Sequence, residues 1–359
     1  MNDRQQIIKE IEDLRGSRVI TYITSDRPGI ISMIDPTDLR EIFDHVKDIP
    51  KDTKIDLYIY SRGGNSVTAW ALANLIREHT KDFNVLVPYR AHSCATAIAI
   101  GSNEIVMGRM GELGPIDPTL SAIVDNKKVD VSTEDLSSYI AFLKEKFGIN
   151  RQKHTIQAFS QLAENVKPLL LGRAYRSYLK ATDDAIKLLR LHLNDEKKIK
   201  RIAEHLVEKL YAHDHIISRR EAKEHIGLNV LFAEGDLEKK MWDLYLKYED
   251  MLKLKEPYTD APTTGNDPRI LPVTVVESKT MTSKKNVRQF IKEVSLPQQN
   301  MAAMPVIVGD KPALMFPNGQ AIQIVTEGQT VVLDQKFFAK TETIVLDRRR
   351  IASLRQRFL

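Results

Sequence analysis

Two hydrophobic patterns take turns along the first hundred residues of the chain. Arg18–Thr24 (RVITYIT), Ile55–Tyr60 and Phe83–Val87 are short runs rich in β-branched and aromatic residues, as expected of buried strands. Between them apolar residues recur at helical spacing. Leu39, Ile42, Phe43 and Val46 predict a helix opened by Asp35–Pro36–Thr37–Asp38, and Val67 to Ile76 predicts another. The opening MNDRQQIIKEIEDLRG reads as a charged amphipathic helix, and Ser25 to Ile34 as a loop with its turn at Pro28–Gly29. Strands alternating with helices predict an α/β fold with a largely parallel sheet and right-handed crossovers.

Further along, Thr133 to Leu210 reads almost entirely as helix, with apolar stripes at Leu136, Ile140 and Leu143 and at Ile156, Phe159 and Leu162. Core packing explains such stripes, and some of them suit subunit contacts. Asp236 to Lys255 is a charged helix. EPYTDAPTTGNDP then marks a linker, so the expected division is 1–255, a linker at 256–272, and a module at 273–359. In that module Val273–Val276 reads as strand, Lys284–Val294 as helix, and Met304–Leu346 as short strands broken by Gly309–Asp310, Pro317–Asn318–Gly319 and Glu327–Gly328.

Composition narrows the function. At 359 residues with 42% hydrophobic content the chain can bury a large core. Its net charge of +5 is too small to imply a nucleic-acid partner, and the excess lies from Glu256 onward, where 14 Lys and Arg face 10 Asp and Glu. The basic end at Arg348–Arg349–Arg350 reads as a solvated helix terminus. A lone cysteine, Cys94, excludes a disulfide framework and a multi-cysteine zinc site. With no apolar leader and no run able to span a bilayer, the expectation is a cytoplasmic protein with no membrane partner.

Functional residues of parallel sheets gather at the C-terminal ends of strands, and two stretches fall there. One is Ser61–Arg62–Gly63–Gly64–Asn65–Ser66; the other is Ala91–His92–Ser93–Cys94, which opens a helix of small apolar residues. Ser93 fits a helix N-cap, and it equally fits a nucleophile beside the free N–H groups of a helix start. The glycine pair fits a tight turn, or a backbone donor brought close to a reacting atom. A phosphate cradle is disfavoured, because neither GxxxxGK[ST] nor GxGxxG occurs. The Cys94 thiol is a second candidate nucleophile, against the commoner role of a buried hydrophobe. His213 and His215 sit at alternating spacing; a packing role outweighs a metal pair, and no cofactor is expected.

Taken in order, Tyr58–Ile59–Tyr60–Ser61–Arg62–Gly63–Gly64, Ala91–His92–Ser93–Cys94–Ala95–Thr96, Glu104–Ile105–Val106–Met107–Gly108 and Leu113–Gly114–Pro115–Ile116–Asp117–Pro118 resemble the serine dehydrogenase proteinase family. That family lies in the Clp protease proteolytic subunit and crotonase superfamily, and is related to signal peptide peptidase A. Ile217–Ser218–Arg219–Arg220–Glu221–Ala222–Lys223–Glu224–His225–Ile226–Gly227–Leu228 resembles the element that closes the domain. The resemblance implies a repeated ββα core with a helical arm, to which this chain adds a small β-rich C-terminal domain. It implies a serine peptidase acting on protein or peptide substrates and assembled as a homo-oligomer. By position, Ser93 becomes the nucleophile and the backbone N–H groups of Gly64 and Cys94 the oxyanion hole. Asp117 stands where a Clp-type histidine is expected, and a base of the signal-peptidase kind would be one of Lys144, Lys146, Lys153 and Lys167. Arg62 and Ala95 replace the family's usual proline and glycine. The alternatives are a catalytically inactive assembly or binding module on the same fold, and acyl-coenzyme A chemistry of the crotonase kind.

Overall fold

A computed structural model describes residues 2–116, 119–124, 127–149, 151–208 without 152, 155, 158 and 161–167, then 210, 215–258 and 270–288, and five strands between 304 and 345. Two compact units divide the chain: residues 1–266 with 271–287, and residues 267–270 with 288–359.

Seven strands form the sheet of the first unit. In spatial order they are Val230–Phe232, Glu104–Met107, Phe83–Val87, Ile55–Tyr60, Arg18–Thr24, Ile270–Glu277 and Thr282–Arg288. The first five are mutually parallel, with Ile20 opposite Leu57 and Val85 opposite Ile105, and Ile270–Glu277 runs antiparallel to Arg18–Thr24. Every residue of Ile55–Tyr60 and Phe83–Val87 is buried, because helices cover both faces. Alternation decides which face each side chain serves. Tyr58, Tyr60, Leu86 and Val106 meet Ile8 and Ile11 of the helix Asp3–Arg15 and Met241, Leu244 and Tyr248 of the helix Gly235–Leu252. Ile20, Tyr22, Leu57, Ile59, Val85 and Val87 face the other layer, which holds Leu72, Ile76, Ile98, Leu188 and Ile202.

Local chemistry bounds the helices that matter for the site. Asn2 and Gln5 form a reciprocal capping box at the start of Asp3–Arg15, and Gly16 ends that helix in the left-handed region at φ 61°. Asn65 caps Ser66–Arg77, its side chain accepting from the Val67 N–H. A second, smaller sheet of Arg90–Ala91, Glu112–Leu113 and Ile217–Ser218 stands beyond the strand ends, continued by bridges between Ser61 and Ala91 and between Ile34 and Gly64. The mixed α/β architecture with a mostly parallel sheet agrees with the expected class. Helices Thr133–Phe147, Pro168–Arg190 and Glu196–Glu208 follow a hairpin of Thr119–Val124 and Lys127–Ser132.

One expectation differs from what is observed. Lys284 lies in an edge strand, Thr282–Arg288, and not in a helix over 284–294; residues 289–294 lie outside the described residues. The lysines suit an edge, where charge discourages pairing with another chain, and a strand vacancy beside Ile270–Glu277 outweighs helix propensity. The stretch 271–287 belongs to the first compact unit. The second unit contains an antiparallel sheet in the order Met304–Val308, Lys311–Met315, Ala321–Glu327, Thr330–Asp334 and Ile344–Val345.

Candidate active site

The parallel strands Ile55–Tyr60 and Phe83–Val87 end side by side and deliver the glycine loop and the Ser93 turn to the same edge. Backbone pairing joins the two stretches. The Ser61 N–H donates to the Arg90 carbonyl at 2.9 Å, and the His92 N–H to the Ser61 carbonyl at 3.0 Å. Ser93 has φ 49° and ψ −113°, a conformation that non-glycine residues adopt at a cost of about 1–3 kcal/mol. Its side chain makes no cap hydrogen bond to the helix Cys94–Ile100. The strain is held from both sides. The Ala95 N–H donates to the His92 carbonyl and the Ala97 N–H to the Ser93 carbonyl, each at 2.9 Å. Buried Thr96 donates to the Ala91 carbonyl at 2.6 Å and accepts from the Gly114 N–H at 3.0 Å.

Gly63 and Gly64 do different things. Gly63, at φ 112°, is the one pressed against the turn: a Cβ there would lie 2.9 Å from the Ser93 Cβ and 3.3 Å from the Cys94 nitrogen. Its N–H donates to the Ser61 Oγ at 3.0 Å. Gly64, at φ 154°, packs on Ile34, whose carbonyl oxygen would be 2.3 Å from an added Cβ. Among the described residues, neither the Gly64 N–H nor the Cys94 N–H has a hydrogen-bond partner. The loop and the turn therefore place these two N–H groups and Ser93 on the same strand-end edge.

The Cys94 side chain is unsuited to attack. It is buried, its thiol donates to the Asn65 carbonyl at 3.1 Å, and burial pushes its pKa up to about 12. It is a packing residue that also ties the helix to the glycine loop.

Charged side chains line the outer margin in a chain of contacts. Asp26 accepts from the Tyr60 hydroxyl at 2.7 Å and pairs with Arg62 at 3.1 Å and Arg90 at 2.9 Å. Arg90 pairs with Glu112 at 3.2 Å, and Glu112 lies 3.1 Å from the His92 Nε2. Burial raises the Glu112 pKa, but His92 and Arg90 together outweigh it and hold this carboxylate below its ordinary value. His92 is thereby engaged with Glu112, and its ring lies against Gly114. Arg62 extends from the loop to Asp26. Ala95 is fully buried without disturbing the turn.

The remaining candidates are placed as follows. Lys144 and Lys146 are exposed on the helix Thr133–Phe147, and Lys153 is exposed as well. Asp117 and Lys167 lie outside the described residues, as does His213. The His215 Nε2 meets Glu221 at 2.9 Å. Among the described residues no group of three or more His, Cys, Asp or Glu is placed to hold a metal ion, and no helix is long and apolar enough to cross a membrane. Ser61, Thr96 and Ile34 are the residues that sequence reasoning passed over. Only Ser61 carried a signal, as a hydroxyl directly before the glycine loop.

Known proteins resemble this chain along much of its length. Two uncharacterized proteins of Methanocaldococcus jannaschii are 28% and 26% identical, over 63% and 70% of this chain and 73% and 78% of theirs. A solved variant of the 1510-N membrane-bound stomatin-specific protease aligns over 62% of this chain and 85% of that chain, at 17% identity and a TM-score of 0.33. The family model of the ClpP-like SDH-type serine proteinases matches residues 1–137, the stretch that holds both the glycine loop and Ser93.

Proposed function

We propose that the protein is a serine peptidase that cleaves peptide bonds by attack of the Ser93 hydroxyl, with the N–H groups of Gly64 and Cys94 holding the oxyanion. One observation carries this reading: Ser93 is held at a positive φ with no capping role, beside two backbone donors that have no partner among the described residues. A capping serine would gain nothing from that strain. A nucleophile gains exposure of its hydroxyl at the sheet edge.

In the acylation step the Ser93 Oγ bonds to the scissile carbonyl carbon and passes its proton to a base. The carbonyl oxygen takes up negative charge between the two N–H donors, and collapse breaks the C–N bond as the protonated base gives its proton to the departing amine, leaving the acyl-enzyme. Water then attacks the ester and releases the acid. One donor of this kind is worth about 3–4 kcal/mol in the transition state. We assign the base to the lysine group Lys144, Lys146, Lys153 and Lys167, with Asp117 orienting it. An exposed lysine must lose water to serve at neutral pH, and docking of a substrate or a second copy of the chain would provide that. The setting is cytoplasmic and the assembly a homo-oligomer, with the C-terminal module governing access.

A fluorophosphonate probe tests the assignment. The wild-type chain is expected to label at Ser93 and Ser93→Ala to lose the label. Labelling that survives Ser93→Ala sinks the proposal, and full biological activity in that variant would favour a binding module on the same fold.

A further inference from the structure

Building on the roles proposed for Ser93 and Gly64, we infer that Lys285 is a positioning residue for the oxyanion loop, acting through Asp38 on the turn that carries Ile34. The glycine loop offers no side chain of its own at Gly63 or Gly64, so its placement depends on what its backbone pairs with. That partner is Ile34. Its N–H donates to the Gly63 carbonyl at 2.8 Å, and its carbonyl accepts from the Asn65 N–H at 2.9 Å. The Gly64 peptide is thus fixed on both sides by a single residue, itself only 1% exposed.

Ile34 leads directly into a turn built on two carboxylates. Asp35 accepts from the Thr37 N–H at 2.9 Å and the Thr37 hydroxyl at 2.5 Å. The Asp38 Oδ2 accepts from the Asp35 N–H at 3.1 Å and from the buried Tyr22 hydroxyl at 2.5 Å. Asp38 is 1% exposed, and a carboxylate removed from water needs a counter-charge. Lys285 supplies it: its Nζ pairs with the Asp38 Oδ1 and donates to the Thr37 Oγ1.

Lys285 arrives from the edge strand Thr282–Arg288, far outside the residues that match the family. Neighbours on the same strand pair grip the same segment. The Ser25 N–H donates to the Val273 carbonyl at 2.7 Å, Ser32 and Thr274 share a hydroxyl hydrogen bond at 2.7 Å, and His45 meets the Ser283 Oγ at 3.2 Å. The late return of the chain therefore fixes the turn at 35–38, the turn fixes Ile34, and Ile34 fixes the direction of the Gly64 N–H. Ordinary core packing would account for the apolar contacts, but not for a lysine ion-paired to a buried carboxylate beside this loop.

The test uses the full chain, with Lys285→Met to remove the charge, Lys285→Arg to restore it, and Tyr22→Phe to delete the hydroxyl at nearly constant volume. Three quantities are read for each folded variant well below its Tm: the rate of fluorophosphonate labelling at Ser93, the hydrogen-exchange rate of the Asn65 amide, and Tm itself. Lys285→Met is expected to label about 10–100-fold more slowly and to exchange Asn65 about tenfold faster, with Lys285→Arg recovering most of both. Tyr22→Phe is expected to move both rates the same way, and it decides the matter if Lys285→Met does not fold. Wild-type rates in folded Lys285→Met or Tyr22→Phe overturn the inference, as does a loss that Lys285→Arg fails to restore. If the wild-type chain does not label, the proposed nucleophile is wrong, and the Asn65 exchange rates still decide the role of Lys285.

Discussion

Gly63 faces Ser93 so closely that a Cβ on Gly63 would lie 2.9 Å from the Ser93 Cβ and 3.0 Å from the His92 carbonyl oxygen. The first contact is shorter than real Cβ atoms show and the second is tighter than most, and φ 112° adds a backbone penalty for any side chain. Gly63→Ala is therefore expected to push the glycine loop away from the turn. Loss of one oxyanion donor predicts a fall in Ser93 labelling of about 100-fold or more, read against a Tm that drops by only a few degrees. A Gly63→Ala variant that labels at the wild-type rate would show that the contact is not part of the site.

Ser93 itself should trade stability for reactivity. At φ 49° its backbone is strained, and glycine adopts that conformation without a Cβ penalty. Ser93→Gly is expected to abolish labelling and to raise stability by about 1 kcal/mol in denaturant unfolding. A destabilised Ser93→Gly would mean that the hydroxyl is held by contacts that outweigh the strain.

Cys94 provides a check on the other nucleophile. With the thiol buried, bonded to the Asn65 carbonyl and raised to about 12, alkylation of the native chain by iodoacetamide at pH 8 should be far slower than in the unfolded chain. The difference in thiolate alone predicts a factor of roughly 1,000 against a free thiol near 8.5. Rapid native alkylation that protects against fluorophosphonate would return the thiol to consideration.

Stability should fall in two steps as pH falls. Burial lowers the pKa values of His45 and His192. Their unfolded forms then bind protons that the native forms refuse, so this stabilisation is complete above the unfolded value of about 6.5 and fades below it. Burial raises the pKa of Glu277, but Arg4, Thr282, Tyr248 and Asn2 outweigh it, and the folded value lies below the unfolded one. Its contribution is complete above the unfolded glutamate range of about 4.3 and is lost as pH drops through the lower folded value. Glu277→Gln is expected to cost about 3 kcal/mol at neutral pH and to flatten the acidic limb of the stability profile, measured by urea unfolding. An unchanged acidic limb would exclude Glu277 as its source.

Much of the fold and the outline of the site were legible from local pattern. Strands such as Ile55–Tyr60 declare themselves because a run buried on both faces must be apolar throughout, and the helix Ser66–Arg77 because its period is set by the backbone itself. The glycine pair and Ser93 could be placed at strand ends for the same reason. Tertiary structure decided what depends on residues distant in sequence. The region around Lys284 carries residues that favour a helix, yet it pairs as an edge strand, because the open edge of Ile270–Glu277 is invisible to a local window. Which glycine presses on Ser93, the strain at Ser93, the closing of Cys94 against Asn65, and the pairing of Lys285 with buried Asp38 all follow from how separate strands come together. Local sequence dictates which elements form and which residues are chemically able to act. Only packing decided which of them share an edge and which are sealed from water, because distance and desolvation are properties of the assembled chain and of no residue alone.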